Sequence, residues 1–158
     1  MNEICYNDYS NHIYRYIFGG SIMPKLELDA TQENLAVVND FIEEQLEGYS
    51  MKDSMQVSLV VEEIYINIAN YAYGDSVGKA VITCDVDRDT DTLTLVFEDR
   101  GMQFDPLAKA DPDITASAEE REIGGLGIFL TKKIMDTVSY EYDNGVNRLT
   151  AKKVLITQ

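Results

Sequence analysis

Apolar positions along this chain switch between a helical period and a strand period. Leu35, Val38, Phe41, Ile42 and Leu46 recur at helical spacing, and Gly48 follows as a stop. Asp29 or Thr31 can cap this helix, with Asn34 a weak partner for a capping box. A second helix is expected from a cap at Asp53 to about Tyr73, with Gly74 ending it. Lys79–Asp87 and Thr92–Glu98 alternate or run apolar as strands, and Arg88-Asp89-Thr90-Asp91 joins them as a hairpin turn. Residues 102–122 form a long polar loop with Pro106 and Pro112; such a loop in a compact domain is usually functional, often a lid. A third helix is expected from Gly125 to about Met135. Thr137–Tyr142 and Arg148–Ile156 are then strands joined by Asp143-Asn144-Gly145, a strong hairpin signal.

Residues 1–22 differ from the rest. They are rich in Tyr and Asn, show neither period, and end in Gly19-Gly20-Ser21. They read either as an atypical extension, with Met23 an alternative start, or as a Tyr-rich arm for homodimerisation. Residues 23–158 read as one domain, beginning with the strand Pro24-Lys25-Leu26-Glu27-Leu28. The expected order is β-α-α-β-β-loop-α-β-β. Consecutive hairpins make the sheet mixed but largely antiparallel, and three amphipathic helices cover one face. That is a two-layer α/β sandwich of the α+β kind.

Composition narrows the function. The chain has 158 residues, 45% of them hydrophobic, enough for one domain with a real core. Its formal net charge of −15 argues against nucleic acid or an anionic membrane as partner, since both demand clustered Lys and Arg. An acidic surface suits a basic protein partner; its plainer meaning is solubility. Two cysteines, Cys5 and Cys84, form no CxxC or disulfide framework, which fits a reducing, cytoplasmic setting. With His12 the one histidine, histidine triads and zinc sites are disfavoured. No apolar run approaches the ~20 residues of a membrane span, and no secretory leader is expected.

Three segments carry candidate chemistry. At about 100° per residue, Val57, Val61, Ile64 and Ile68 form one apolar stripe, with Val60 and Tyr71 on its edge. Glu63, Asn67 and Asn70 fall within about 60° of each other on that border, while Glu62 points nearly opposite. Glu63 can take a proton from a hydroxyl or water. Asn67 offers an uncharged oxygen suited to a Mg2+ ion that keeps water and phosphate ligands. Alone, the pair is also what any amphipathic surface helix shows. In the second segment, Leu93, Leu95 and Phe97 lead into Asp99, a carboxylate at a strand end able to accept from an exocyclic amine such as that of adenine. Gly101 allows the backbone near a flat ring, though an Asp-Arg-Gly turn is also common. In the third, Gly124-Gly125-Leu126-Gly127 opens a helix whose free N–H groups make an anion cradle. No Lys-Ser or Lys-Thr follows, so it is not a P-loop, and the spacing is not GxGxxG.

In this order the segments resemble the three boxes of GHKL (Bergerat-fold) ATPases. Glu63-Ile64-Tyr65-Ile66-Asn67 resembles the N box, Glu98 to Pro106 the first glycine box, and Gly124 to Ile128 the second. Phe104-Asp105-Pro106-Leu107 and the run from Gly124 to Tyr140 are similar to bacterial anti-sigma factor serine kinases, and the likeness covers about residues 23–157. It implies the Bergerat ATP-binding fold, with ATP and Mg2+. Glu63 would be the catalytic base and Asn67 the Mg2+ ligand. Asp99 would read the adenine amine with Gly101 beside the ring. Gly124, Gly125, Leu126 and Gly127 would hold phosphates under a lid of residues 103–123. Asn70 is an extra amide, placed either near the phosphates or only to pack, and Thr150 matches a strand threonine near adenine. Gln103 departs from the pattern, standing where the first box carries its second glycine.

The leading expectation is therefore a protein serine kinase acting on an anti-anti-sigma (STAS-domain) protein, with a sigma factor as alternative partner. The alternative is a binding switch that uses ATP to sequester a regulator without useful phosphotransfer; Glu63 weighs against it, because a pure binder needs no base. A sensor histidine kinase fragment is disfavoured, since no helical hairpin with a phospho-accepting histidine precedes the domain.

Overall fold

A computed structural model describes residues 6–8, 13–18, 21–108 and 126–158. Its strands are β1 (Tyr6–Asp8), β2 (Ile13–Phe18), β3 (Ser21–Asp29), β4 (Lys79–Asp87), β5 (Thr92–Asp99), β6 (Thr137–Asp143) and β7 (Val146–Val154). Its α-helices are α1 (Leu35–Gln45), α2 (Met51–Asn67) and α3 (Leu126–Ile134). The sheet runs β1-β2-β3-β4-β5-β7-β6.

Every described pairing is antiparallel, although β5 and β6 are linked through a helix. The α3 crossover does return the chain parallel to β5. It leaves a one-strand gap, however, and β7 turns back at Asn144-Gly145 to fill it, antiparallel to both neighbours. Asn144 takes φ 50°, as a tight hairpin turn requires.

One sheet face is apolar. Leu26, Leu28, Ala80, Ile82, Cys84, Leu93, Leu95, Phe97, Leu149 and Ala151 alternate along their strands and are buried. Val38, Phe41 and Ile42 of α1 cover them, together with Val57, Val60, Val61, Ile64 and Tyr65 of α2. The anticipated stripe of α2 is thus the core-facing one, and Val60 joins it. Among the described residues no helix is long and apolar enough to cross a membrane.

Four local expectations are corrected. Residues 1–22 contain the strands β1 and β2, which extend the sheet beyond β3. Ile13, Tyr14, Tyr16, Ile17 and Phe18 are β-branched or aromatic types, and their pairing partner lies in β3, so no periodicity of their own announces them. The cap of α2 is Ser50, not Asp53: Ser50 Oγ accepts from Asp53 N at 3.1 Å. Asp53 is buried in the first turn and accepts from Ile156 N at 2.8 Å, pinning the C-terminal segment to the helix. Ahead of α1 a short 3-10 turn, Gln32–Asn34, intervenes, with Thr31 at its N-cap. Finally, α2 closes at Asn67 and continues as a wider π-type turn, Ile68–Ala72. Its looser winding rotates the following side chains, and Tyr71 is exposed rather than at the stripe's edge.

Candidate functional site

The end of α2, its π-type turn, the C-terminal end of β5 and the start of α3 converge on one side of the sheet. Asp99 is the last residue of β5 and shares the helix-covered face with Leu95 and Phe97. Its Oδ1 accepts from Gly101 N at 2.9 Å and from Asn147 Nδ2 at 2.8 Å. Among the described residues nothing donates to Oδ2. One carboxylate oxygen is thus immobilised and the other is left to accept an amine.

The turn after Asp99 is tied to the π-type turn. Met102 N donates to Ala72 O at 2.8 Å, and Arg100 N to the Tyr73 hydroxyl at 2.9 Å. Tyr73 in turn donates to Lys79 O at 2.6 Å. Burial, and secondarily the Asp99 charge, raises the Tyr73 pKa, so the phenol stays neutral and keeps its proton for that bond. Gly101 is required by this approach: a Cβ there would collide with the Ala72 carbonyl. The crowding that demands glycine comes from the protein's own backbone.

At the other end, Glu63 sits half-buried on α2, four residues before Asn67, the last residue of that helix. The carboxylate lies directly against Gly127 in the first turn of α3; a Cβ on Gly127 would overlap Glu63 Oε2 and come within 2.8 Å of its Cδ. Among the described residues no donor or cation engages Glu63, so its oxygens are open to a proton. Glu62 is exposed, as the helical wheel requires. Leu126 opens α3 and is exposed. Gly124, Gly125 and residues 109–123 of the anticipated lid lie outside the described residues.

Asn70 and Thr150 are placed differently from the other candidates. Asn70 is exposed on the π-type turn, and its Oδ1 accepts from Gln32 Nε2 at 2.6 Å. Thr150 pairs with Val96 and Ser139, on the sheet face shared with Glu98 and Arg148. That face lies away from Asp99. Thr150 therefore does not join the other candidates, because the pleat turns odd and even positions of β7 to opposite sides. The β7 residue that does face Asp99 is Asn147, its register partner, 6% exposed. Sequence reading missed it. A signal existed in the alternation of Arg148, Thr150 and Lys152 with Leu149 and Ala151, which fixes the parity of the strand.

The donor set fits a nucleotide with Mg2+. Among the described residues no group of three or more His, Cys, Asp or Glu could hold a metal ion unaided. One neutral amide oxygen, that of Asn67, suits an ion that otherwise keeps water and phosphate ligands.

Comparison with known proteins agrees with this geometry. The profile of the histidine kinase-like ATPase domain matches residues 28–153. The serine-protein kinase RsbW of Bacillus cereus strain AH187 is 28% identical over 111 residues, covering 68% of this chain and 68% of that protein. RsbW of Bacillus mycoides strain KBAB4 is 27% identical with the same coverage. Among solved structures, the RsbU and RsbW domains of Rv1364c from Mycobacterium tuberculosis match 84% of this chain with a TM-score of 0.58 and 17% identity. This chain spans 32% of the length of that one, and the likeness bears on fold alone.

Proposed function

The chain belongs to the histidine kinase-like ATPase domain family, and on that premise we propose that it is an ATP- and Mg2+-dependent protein serine kinase of the anti-sigma type, working in the cytoplasm. The observation that carries the reading is the contact of Glu63 with Gly127, which joins a carboxylate without a polar partner among the described residues to the start of α3. ATP is the phosphoryl donor. Asp99 Oδ2 accepts from the adenine amine, with Gly101 in the turn beside it. Backbone N–H groups around Gly124, Gly125, Leu126 and Gly127 receive the phosphates at the N-terminus of α3. Asn67 is the protein's ligand to Mg2+.

In transfer, Glu63 takes the proton of a serine hydroxyl as that oxygen bonds to the γ-phosphorus. The bond from the γ-phosphorus to its bridging oxygen breaks, and ADP leaves. Most of the acceleration in such a reaction comes from positioning and charge stabilisation. The substrate is an anti-anti-sigma protein of the STAS class, a relation supported by the likeness to serine-protein kinases named RsbW. A sigma factor is the alternative partner.

The test is to incubate the protein with Mg-ATP and a STAS-domain partner and measure phosphoserine. Glu63→Gln should lower transfer by roughly 10²–10⁴-fold, the usual worth of a general base, with ADP affinity little changed. Transfer retained by that variant removes Glu63 as the base. Tight ATP binding without transfer to any partner would favour the switch that only sequesters.

A further inference from the structure

The side of a surface helix that points away from the core is ordinarily polar. On α2 it carries an apolar stripe. Met51 is 74% exposed, Met55 68% and Leu59 39%. Their spacing of four sets them along one ridge of the helix. The next step along that ridge is Glu63, with its contact to Gly127. The core side of the same helix is filled by Val57, Val60, Val61 and Ile64, so the stripe is no part of the core. Single exposed apolar side chains are ordinary, but three in a row, two of them largely bare, make a patch. Methionine is unbranched and polarizable, and a surface built from it moulds itself to the apolar side chains of another protein.

Charge selects the occupant. α1 packs beside α2. The two run antiparallel, joined by residues 46–50, and Gln32 ahead of α1 donates to Asn70 beyond the end of α2. Met51 and Met55 therefore lie beside the end of α1. That end carries Glu43 and Glu44, with Asp40 a turn earlier and Glu47 just beyond, and all four are exposed. α1 contains no Lys or Arg, and Lys52 is the one basic residue of α2. The stripe thus has an acidic border. A second copy of this chain would set the same acidic border against it, and an anionic membrane would bring the same sign of charge. A cationic partner with an apolar stripe complements both parts of the surface.

We propose that the ridge of Met51, Met55 and Leu59 is a docking surface for an amphipathic helix of a partner protein, apolar along one stripe and bordered by Lys or Arg where it meets α1. Anchors three or four residues apart on such a helix fall against the ridge. Basic side chains beside them steer the encounter and fix its direction. The surface lies outside the proposed nucleotide contacts, and it stands whether or not phosphate is transferred.

The probe is a labelled synthetic amphipathic helix built of Leu and Lys. Its comparators are the same helix with Glu for Lys and a scrambled Leu/Lys peptide of equal composition. Fluorescence anisotropy gives Kd for each with the full chain at fixed salt. Wild type should bind the Leu/Lys helix about tenfold or more tighter than either comparator. The triple variant Met51→Ser, Met55→Ser, Leu59→Ser should lose that advantage. Glu43→Lys with Glu47→Lys should weaken the Leu/Lys helix about tenfold and strengthen the Leu/Glu one. If the triple variant does not fold, Met51→Ser with Met55→Ser carries the same measurements, since both side chains are largely exposed. Failure of the Leu/Lys helix to bind, equal binding of the scrambled peptide, or binding unchanged in the triple variant overturns the inference. So does self-association in sedimentation, or binding to phosphatidylglycerol vesicles, that wild type shows and the triple variant loses: the ridge would then belong to a second copy or to lipid.

Discussion

At the end of the cleft proposed for the purine, Asp99 Oδ1 receives two hydrogen bonds, Asn147 makes four, and Met102 N is tied back to Ala72 O. At the end proposed for the phosphates, Glu63 touches Gly127 and has no polar partner among the described residues. On the proposed function, the difference follows from what each end must do. A base-reading group gains selectivity when its geometry is fixed beforehand, because ordering costs are then met in folding and not in binding. A general base must keep its lone pairs for a proton that arrives with the substrate. Rigidity and vacancy are thus complementary uses of the same two-layer scaffold, separated along one helix and its terminal turn.

The two close-approach glycines offer the largest effects and break the comparison in opposite directions. Gly127→Ala sets a methyl group into the Glu63 carboxylate, the far end of a flexible side chain. The helix can accommodate this by turning Glu63 away, so stability should change by less than about 1 kcal/mol. Misplacing a reacting group by about 1 Å can cost 10²-fold, and phosphotransfer should fall by roughly that much at unchanged ADP affinity. Gly101→Ala meets the Ala72 carbonyl, which is backbone and cannot step aside. It should destabilise the fold by about 1–3 kcal/mol, as overpacking does, and weaken nucleotide binding with it. Urea unfolding alongside the transfer assay separates the two; equal stability losses in both variants would erase the distinction between the two ends.

An intermediate effect tests whether the freedom of Glu63 is confined to its side chain. Tyr65 lies between Glu63 and Asn67 in sequence but points into the core, fully buried, its one O–H shared between the Thr31 carbonyl at 2.8 Å and the Asp29 carbonyl at 3.1 Å. It fixes the helix that carries both candidates. Burial chiefly, against the Thr31 hydrogen bond, pushes its pKa up to about 12 from 10.0. A raised folded pKa contributes stability that is intact below the unfolded value and is lost as pH climbs through the folded one. Tyr65→Phe should therefore lower stability at pH 8 by about 0.5–1.5 kcal/mol, the net worth of one hydrogen bond, since both carbonyls keep other donors. The balance should then move in the variant's favour by about 2 kcal/mol between pH 10 and 12. Unfolding free energies across that range check it; a gap independent of pH would show that the phenol does not report burial.

Most of the scaffold, and the half-buried placing of Glu63 beside an exposed Glu62, could be read from local signals. Helical periodicity separated Glu63 from Glu62, alternation delimited β4 and β5, and Asn144-Gly145 announced the last hairpin. What stayed hidden depends on partners distant in sequence. β1 exists by pairing with β2, and β2 by pairing with β3, so residues 1–22 carry no period of their own. Asn147 meets Asp99 across 48 positions, and its importance appears once the β5–β7 register is known. Thr150 was misplaced for the same reason: resemblance supplied a residue type, whereas the pleat decides the face. The π-type turn after Asn67 escaped because a wheel drawn at a constant angle cannot anticipate a change of winding.

That change of winding carries the smallest prediction, at Asn70. A regular helix would have placed it beside Asn67 on the cleft border. The wider turn leaves it exposed, with Oδ1 already accepting from Gln32 Nε2 across the gap to the 3-10 turn. An exposed side-chain hydrogen bond contributes little, and surface substitutions of this kind usually stay within about 0.5 kcal/mol. Asn70→Ala should accordingly alter Mg-ATP affinity by no more than about twofold, the same scale of free energy. The Gln32→Ala variant should match it, since each removes the same bond. Isothermal titration of both variants decides the matter. A tenfold loss in Asn70→Ala alone would mean that its amide N–H groups reach the phosphates, and the fixed region of the cleft would then extend past the purine end and along the π-type turn to the site of transfer.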